Sequence, residues 1–281
     1  MHNTIDQDKI RALFQLLETE ASSRSILKHA LASAIKTNPH LVQQVLEQDF
    51  AHSAPNSVVH TLEEICWEDL SVALSHFAAK INPDLEEGLA LVAKFTTPTT
   101  ARGKITPILD KMALELRPVL LNTTTAREAI QAIGHYIFTV KKFTTLPTAK
   151  HLNEMSFPSF LKKKQGSNLC MACLYMCIGQ RYAVEMEIID LAGRILIRVQ
   201  DKAHNDTFAI DPLDNGKILS QEDCRRYLES RNLAGIKADS EVLSSRLIVR
   251  RFWANMIYLL NKLQDDRRLK YLREYLEILR S

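Results

Sequence analysis

The sequence predicts an α+β protein dominated by helix, and three observations carry that prediction. Glycine and proline are scarce, 8 and 9 among 281 residues, too few for the many hairpins of an all-β fold. Apolar residues recur at helical spacing through most of the chain. Between 184 and 211, three short stretches instead alternate apolar and polar or run apolar between turn signals, as strands do.

The elements follow in order. "DKIRALFQLLETE" places apolar residues at 10, 13, 14, 16 and 17, one face of a helix. "SSRSILKHALASAIKT" begins on serine and stops at Asn38-Pro39, because proline disfavours helix in the residue before it. "HLVQQVLEQDF" is a third helix, and 51–58, "AHSAPNSV", reads as a linker. Three short helices with tight joins make 1–58 an N-terminal helical segment of HEAT-like character.

A second helical block covers 59–146. "TLEEICWEDLSVALSHFAAK" carries Thr61 as an expected N-cap with Glu64 three residues on, a capping-box spacing, and ends at Asn82-Pro83. "DLEEGLALVAKF" and "ARGKITPILDKMALELRPVLL" follow, with Pro107 in a first turn where its missing N–H is harmless. "TAREAIQAIGHYIFTVKKF" repeats the capping pattern at Thr125 and Glu128.

From 147 to 235 the character changes. An irregular stretch ends at Gly166-Ser167-Asn168, and an apolar helix is expected over 169–182. Strands follow at 183–191, 194–201 and 206–211, the first two joined by a tight turn at Ala192-Gly193. "SQEDCRRYLESRN" is a helix with Ser220 as N-cap. The remainder, 236–281, reads as a helical hairpin of the kind found in tetratricopeptide repeats.

Composition bounds the function. A net charge of +3 gives no argument for nucleic-acid or membrane-surface binding, and the short clusters Lys162-Lys163-Lys164, Arg250-Arg251 and Arg267-Arg268 read as solvated faces. No apolar run approaches the roughly 20 residues of a membrane span. The first residues lack the apolar core of a secretion signal, so a cytoplasmic location is expected. An odd number of cysteines, three of them crowded together, is not a disulfide framework. Cys170, Cys173 and Cys177 share one helix face by their i, i+3, i+7 spacing. A zinc site would need a second ligand pair, and the only other cysteines are Cys66 and Cys224, so the expected role is packing, with no metal and no cofactor. Trp67 and Trp253 lie among apolar neighbours as core residues, and His29, His76 and His135 are lone helical histidines.

From 85 onward the order of motifs resembles a known family. "EEGLALVAKF", "ILDKMALELRP", "AREAIQAIGHYIFTVKKF", "FLKKKQGSNLCMACLYMCIGQRY" and "AIDPLDNGKILSQEDCRRYL" resemble the SirB-type transglutaminase-like proteins. The resemblance covers roughly 60 to 280. It implies a papain-like or transglutaminase-like core for 147–235, in which a nucleophile opens a central helix and a His and an Asp lie on adjoining antiparallel strands. A helix N-terminus lowers a thiol's pKa, a base accepts its proton and an acid orients the base.

Residue by residue, the resemblance implies a degenerate member. The nucleophile column, two residues after Gly166, holds Asn168. The histidine column, in Ala192-Gly193-Arg194-Ile195, holds Arg194, and only the acid survives, as Asp211. An amide is no nucleophile, and arginine stays protonated. An ion pair between Arg194 and Asp211 would keep the geometry of a His–Asp pair without its chemistry. Cys170 is the alternative nucleophile, with His151 and His204 the nearest histidines in sequence. Two functions follow: a non-catalytic binding or regulatory module for a protein or peptide partner, or a cysteine hydrolase of amidase type using Cys170.

Overall fold

The computed structural model describes residues 6–19, 21–50, 55–96, 105–146, 149–230 and 241–280. They fall into two compact units, one within Met1–Val72 and the other within Ala73–Thr96 and Ala101–Ser281.

The first unit is helical. α1 (Gln7–Thr19), α2 (Arg24–Thr37), α3 (Pro39–Asp49) and the first turns of α4 (Asn56–Ala79) bring their apolar stripes together. Ile10, Phe14 and Leu17 meet Leu27, Leu31, Val42, Val45 and Leu62 in one buried cluster. Pro39 opens α3 at its first position, where φ is already helical and no hydrogen bond is lost. Two expectations change here. Asn56–Val58 of the supposed linker belongs to α4, and 51–54 lies outside the described residues. Thr61 therefore sits inside a helix and caps nothing. It is buried, and its hydroxyl donates to the Ser57 carbonyl (2.8 Å), the back-bond open to a mid-helix threonine.

The second unit surrounds one buried helix. α5 (Leu85–Thr96) and α6 (Ile105–Leu120) precede α7 (Ala126–Gly134), whose cap is the Thr125 hydroxyl accepting from the Glu128 N–H (3.1 Å). A π-helical turn, His135–Val140, then widens the chain, with the Lys141 N–H reaching the Tyr136 carbonyl five residues back (2.8 Å). The stretch read as irregular contains β1 (Thr144–Thr145), α8 (Phe157–Lys163) and β2 (Gln165–Gly166), with β1 and β2 paired in parallel. Its 3.6-residue period is too short-lived to register: α8 is seven residues long, opened by Pro158 and closed by left-handed Lys164 (φ 58°).

α9 (Asn168–Gln180) follows at once, capped by Ser167. It is buried on nearly every side, so the face carrying its three buried cysteines is one of several that pack. The sheet holds β3 (Met186–Leu191), β4 (Arg194–Asp201), β5 (Asp206–Asp211), β6 (Lys217–Leu219) and β7 (Glu241–Val242), in the antiparallel order β6-β5-β4-β3-β7. The three expected strands form its centre. β6 and β7 add two short edges, and with three and two residues they carry no readable alternation. β3 and β4 turn through Ala192 and Gly193, both at positive φ (51° and 89°), the two-residue connection that matches sheet twist.

The sheet separates two apolar layers. Met186 packs on Gly179 of α9, where a Cβ would run into its methyl group. On the other face Ile189, Leu191, Leu196 and Ala209 meet Leu228 of α10 (Gln221–Ser230), with Cys224 and Tyr227 alongside. Ser220 and Asp223 cap α10 reciprocally, hydroxyl to N–H (3.1 Å) and carboxylate to N–H (2.9 Å). α11 (Ser245–Leu263) and α12 (Asp266–Ile278) close the chain as an antiparallel pair. Trp253, Tyr275 and Phe95 pack between them and α5, Trp253 tilted on Tyr275 with centroids 5.2 Å apart and Phe95 edge-on to Tyr275 at 5.9 Å.

Candidate functional site

Three elements converge at the start of β4. α9 begins there because Ser167, in extended geometry (φ −69°, ψ 161°), turns its hydroxyl to accept from the Cys170 N–H (3.2 Å). Gly166 allows the approach, since a Cβ would meet the Phe160 ring of α8. Asn168 then occupies the first helical position, and its Nδ2 donates to the Ile195 carbonyl (3.1 Å), tying the helix N-terminus to β4. Its Oδ1 is buried and accepts nothing.

Arg194 is the first residue of β4 and Asp211 the last of β5. The Arg194 Nη2 donates to Asp211 Oδ2, and the Leu213 N–H donates to the other carboxylate oxygen (2.9 Å). By strand alternation both side chains lie on the α10 face, where Arg194 stacks on the Tyr227 ring with its guanidinium carbon 5.0 Å from the centroid. Asp211 is fully buried, whereas the Arg194 side chain is 31% exposed. Arg194 and Asp211 are thus joined on the α10 face, whereas Asn168 starts the helix on the other face of the sheet and meets β4 only through the Ile195 carbonyl; the arginine is committed to the carboxylate and the asparagine to that carbonyl.

The loop after Asp211 is held from beneath. Gly216, at φ 76°, donates its N–H to the Asp211 carbonyl (2.9 Å) and lies directly on the Tyr175 hydroxyl of α9. That hydroxyl is buried without a partner, and burial raises its pKa.

Cys170 is fully buried in the first turn of α9. Burial pushes its thiol up to about 11, and the Ser167 contact offsets only part of this. Neither histidine considered with it has a described bond to that sulfur. His204 shares the Asp201 carboxylate (3.0 Å) at the far end of β4, about 23 Å from Arg194 along the strand. His151 stands before a 3-10 turn, where the Glu154 carboxylate accepts the N–H groups of Lys150 (2.7 Å) and His151 (3.2 Å). No three His, Cys, Asp or Glu side chains among the described residues are grouped to hold a metal ion. No helix among them is long and apolar enough to cross a membrane.

Two contributors escaped the sequence reading. Cys224, Tyr227 and Leu228 form a visible i, i+3, i+4 face of α10, but nothing in that spacing says that Tyr227 lies under Arg194. Asp201 is, by its sequence pattern, only the end of a strand, yet its carboxylate accepts from the Ala126 N–H (2.8 Å) and so anchors the start of α7 to β4.

A central helix whose N-terminus meets the end of a strand pair bearing an acid is the arrangement of the transglutaminase-like core. A family model described as the transglutaminase-like superfamily matches residues 104–254, just over half of the 281-residue chain. No curated protein and no solved structure matches it. The buried helix, the antiparallel sheet and this match agree, and the chain belongs to the transglutaminase-like superfamily.

Proposed function

We propose that this chain is a degenerate, non-catalytic member of its superfamily, close to the SirB type, serving as a binding or regulatory module for a protein or peptide partner. The observation that carries the reading is the Arg194–Asp211 pair. The acid that would orient a histidine instead neutralises a guanidinium, which has no lone pair to take a proton at neutral pH. Asn168 at the helix start offers an amide bonded to Ile195 where a thiolate would attack.

The alternative, a cysteine hydrolase of amidase type using Cys170, meets two physical obstacles. The thiol is buried and raised to about 11, so the thiolate is a minute fraction at neutral pH. A base within hydrogen-bond reach is required, and His204 is engaged with Asp201 at the other end of the strand.

The test is the rate at which iodoacetamide labels Cys170 in the native protein at pH 7.5, followed by peptide mass spectrometry. The reading expects labelling at least about tenfold slower than a free thiol of ordinary pKa. Labelling as fast as the free thiol or faster would overturn it and restore the hydrolase.

A further inference from the structure

A groove in the second unit lies between α6, the residues entering β1, and α8. It has a volume of about 370 Å³, at the small end of the roughly 300–1,000 Å³ of ligand sites, with room for one or two apolar side chains. Met112, Phe143 and Leu161 form an apolar floor, and Pro107 and Ile108 extend it to the surface, Ile108 being 38% exposed. The rim is basic: Lys111, Lys141 and Lys164 face a single carboxylate, Glu115.

That carboxylate is already committed. It accepts from the Lys141 ammonium (2.5 Å) and from the Tyr136 hydroxyl (2.7 Å), and the bond to Lys141 is the foremost reason its pKa lies below the ordinary value. No ion pair is described for Lys111 or Lys164, and both are exposed. A chain whose charges nearly cancel thus concentrates an uncompensated positive rim around one apolar depression.

The rim also rests on irregular backbone. The π-helical turn delivers Lys141 over the Tyr136 ring, 5.3 Å from its centroid. Lys142 and Lys164 are both left-handed (φ 59° and 58°), a conformation costing a side-chain-bearing residue about 1–2 kcal/mol. Each stands next to the parallel β1–β2 pair, where the Thr144 N–H donates to the Lys164 carbonyl (2.9 Å). Such geometry persists where surrounding structure enforces it, and it clusters where a surface is used.

We infer that this groove binds an acidic peptide segment that inserts one or two apolar side chains onto the Met112–Phe143–Leu161 floor while its carboxylates meet Lys111 and Lys164. This rests on the binding-module reading above and gives that module a partner class. Charge complementarity selects the acidic partner, and the apolar floor selects a peptide over a nucleic acid: the groove's one aromatic ring, Phe143, is buried and offers no face for base stacking.

The test uses the full chain and a fluorescein-labelled twelve-residue peptide alternating Glu with Leu and Phe, read by fluorescence anisotropy at low and at physiological salt. Saturable binding is expected, weaker at the higher salt. Lys111→Glu/Lys164→Glu should weaken it by at least about tenfold, and Ile108→Asp should weaken it as well. A control with the same charge change on exposed lysines elsewhere, Lys36→Glu/Lys202→Glu, should stay within about twofold, and the peptide with Lys in place of Glu should not bind. The inference is overturned if the acidic peptide does not bind, if both double variants lose affinity equally, or if a single-stranded oligonucleotide displaces it. None of those outcomes bears on the labelling of Cys170, so groove and non-catalytic reading fail separately.

Discussion

Replacing Arg194 by methionine tests the centre of the site. Methionine keeps an unbranched apolar stem like that of arginine but removes the cation that lies over the Tyr227 ring and pairs with Asp211. Asp211 would remain fully buried with the Leu213 N–H as its described side-chain donor. Breaking a fully buried pair costs about 3–5 kcal/mol, because a charge is left uncompensated. Arg194 is 31% exposed, so water screens part of the attraction, and the expected loss falls to about 2–3 kcal/mol. In a unit of this size that lowers the Tm by roughly 4–9 °C. Urea unfolding followed by circular dichroism would measure it, with Asp211→Asn and the double variant completing the cycle. A coupling of about 1–3 kcal/mol is expected. A coupling below about 0.5 kcal/mol would refute the claim that the acid's role here is to neutralise Arg194, and with it the main support for the non-catalytic reading.

Three further expectations are simpler. Gly216→Ala combines a positive φ of 76° with overlap on the Tyr175 hydroxyl and should cost about 2–4 kcal/mol, whereas Gly193→Ala, at φ 89° but in open space, should cost about 1–2; equal losses in thermal melts would contradict the packing account. Arg181 joins the end of α9 to Glu86 (2.6 Å), Asp110 (2.8 Å) and the Cys177 carbonyl (2.8 Å), so Arg181→Ala should lose about 2 kcal/mol in denaturant unfolding, and an unchanged midpoint would argue against that network. The Ala126 N–H, aided by His204, holds the Asp201 carboxyl below its ordinary value of 3.8. A lowered pKa stabilises the fold above the unfolded value and is lost as pH falls through the folded one, so the Tm of the wild type should drop more steeply below about pH 4 than that of Asp201→Asn. Parallel curves would remove Asp201 as an anchor of α7.

Local chemistry wrote most of the elements into the sequence. β4 and β5 were legible to the residue, because turn formers bracket them and their side chains suit strands. α7 and α10 were legible because a hydroxyl residue stands before each and an acid three residues later, so their caps formed as read. The same spacing at Thr61 misled, since a capping box is only a local option and helix α4 had already begun at Asn56. β6 and β7 left no trace, because strands of three and two residues owe their existence to the neighbours they pair with.

The sequence by itself determined the helical bulk and the central strands, because those follow from periodicity and punctuation, and it placed Asn168 at the start of the apolar helix, Arg194 at the start of one strand and Asp211 at the end of the next. Only the tertiary structure decided what those side chains do. Pairing of β4 with β5 puts a guanidinium on a buried carboxylate, the α9 start turns an amide onto the Ile195 carbonyl, and the burial of Cys170 in α9 raises its thiol. It also gathered Lys111, Lys141 and Lys164, distant in sequence, around one apolar floor. Charge neutralisation, desolvation and groove formation depend on which surfaces meet, and that information is absent from any single stretch of chain.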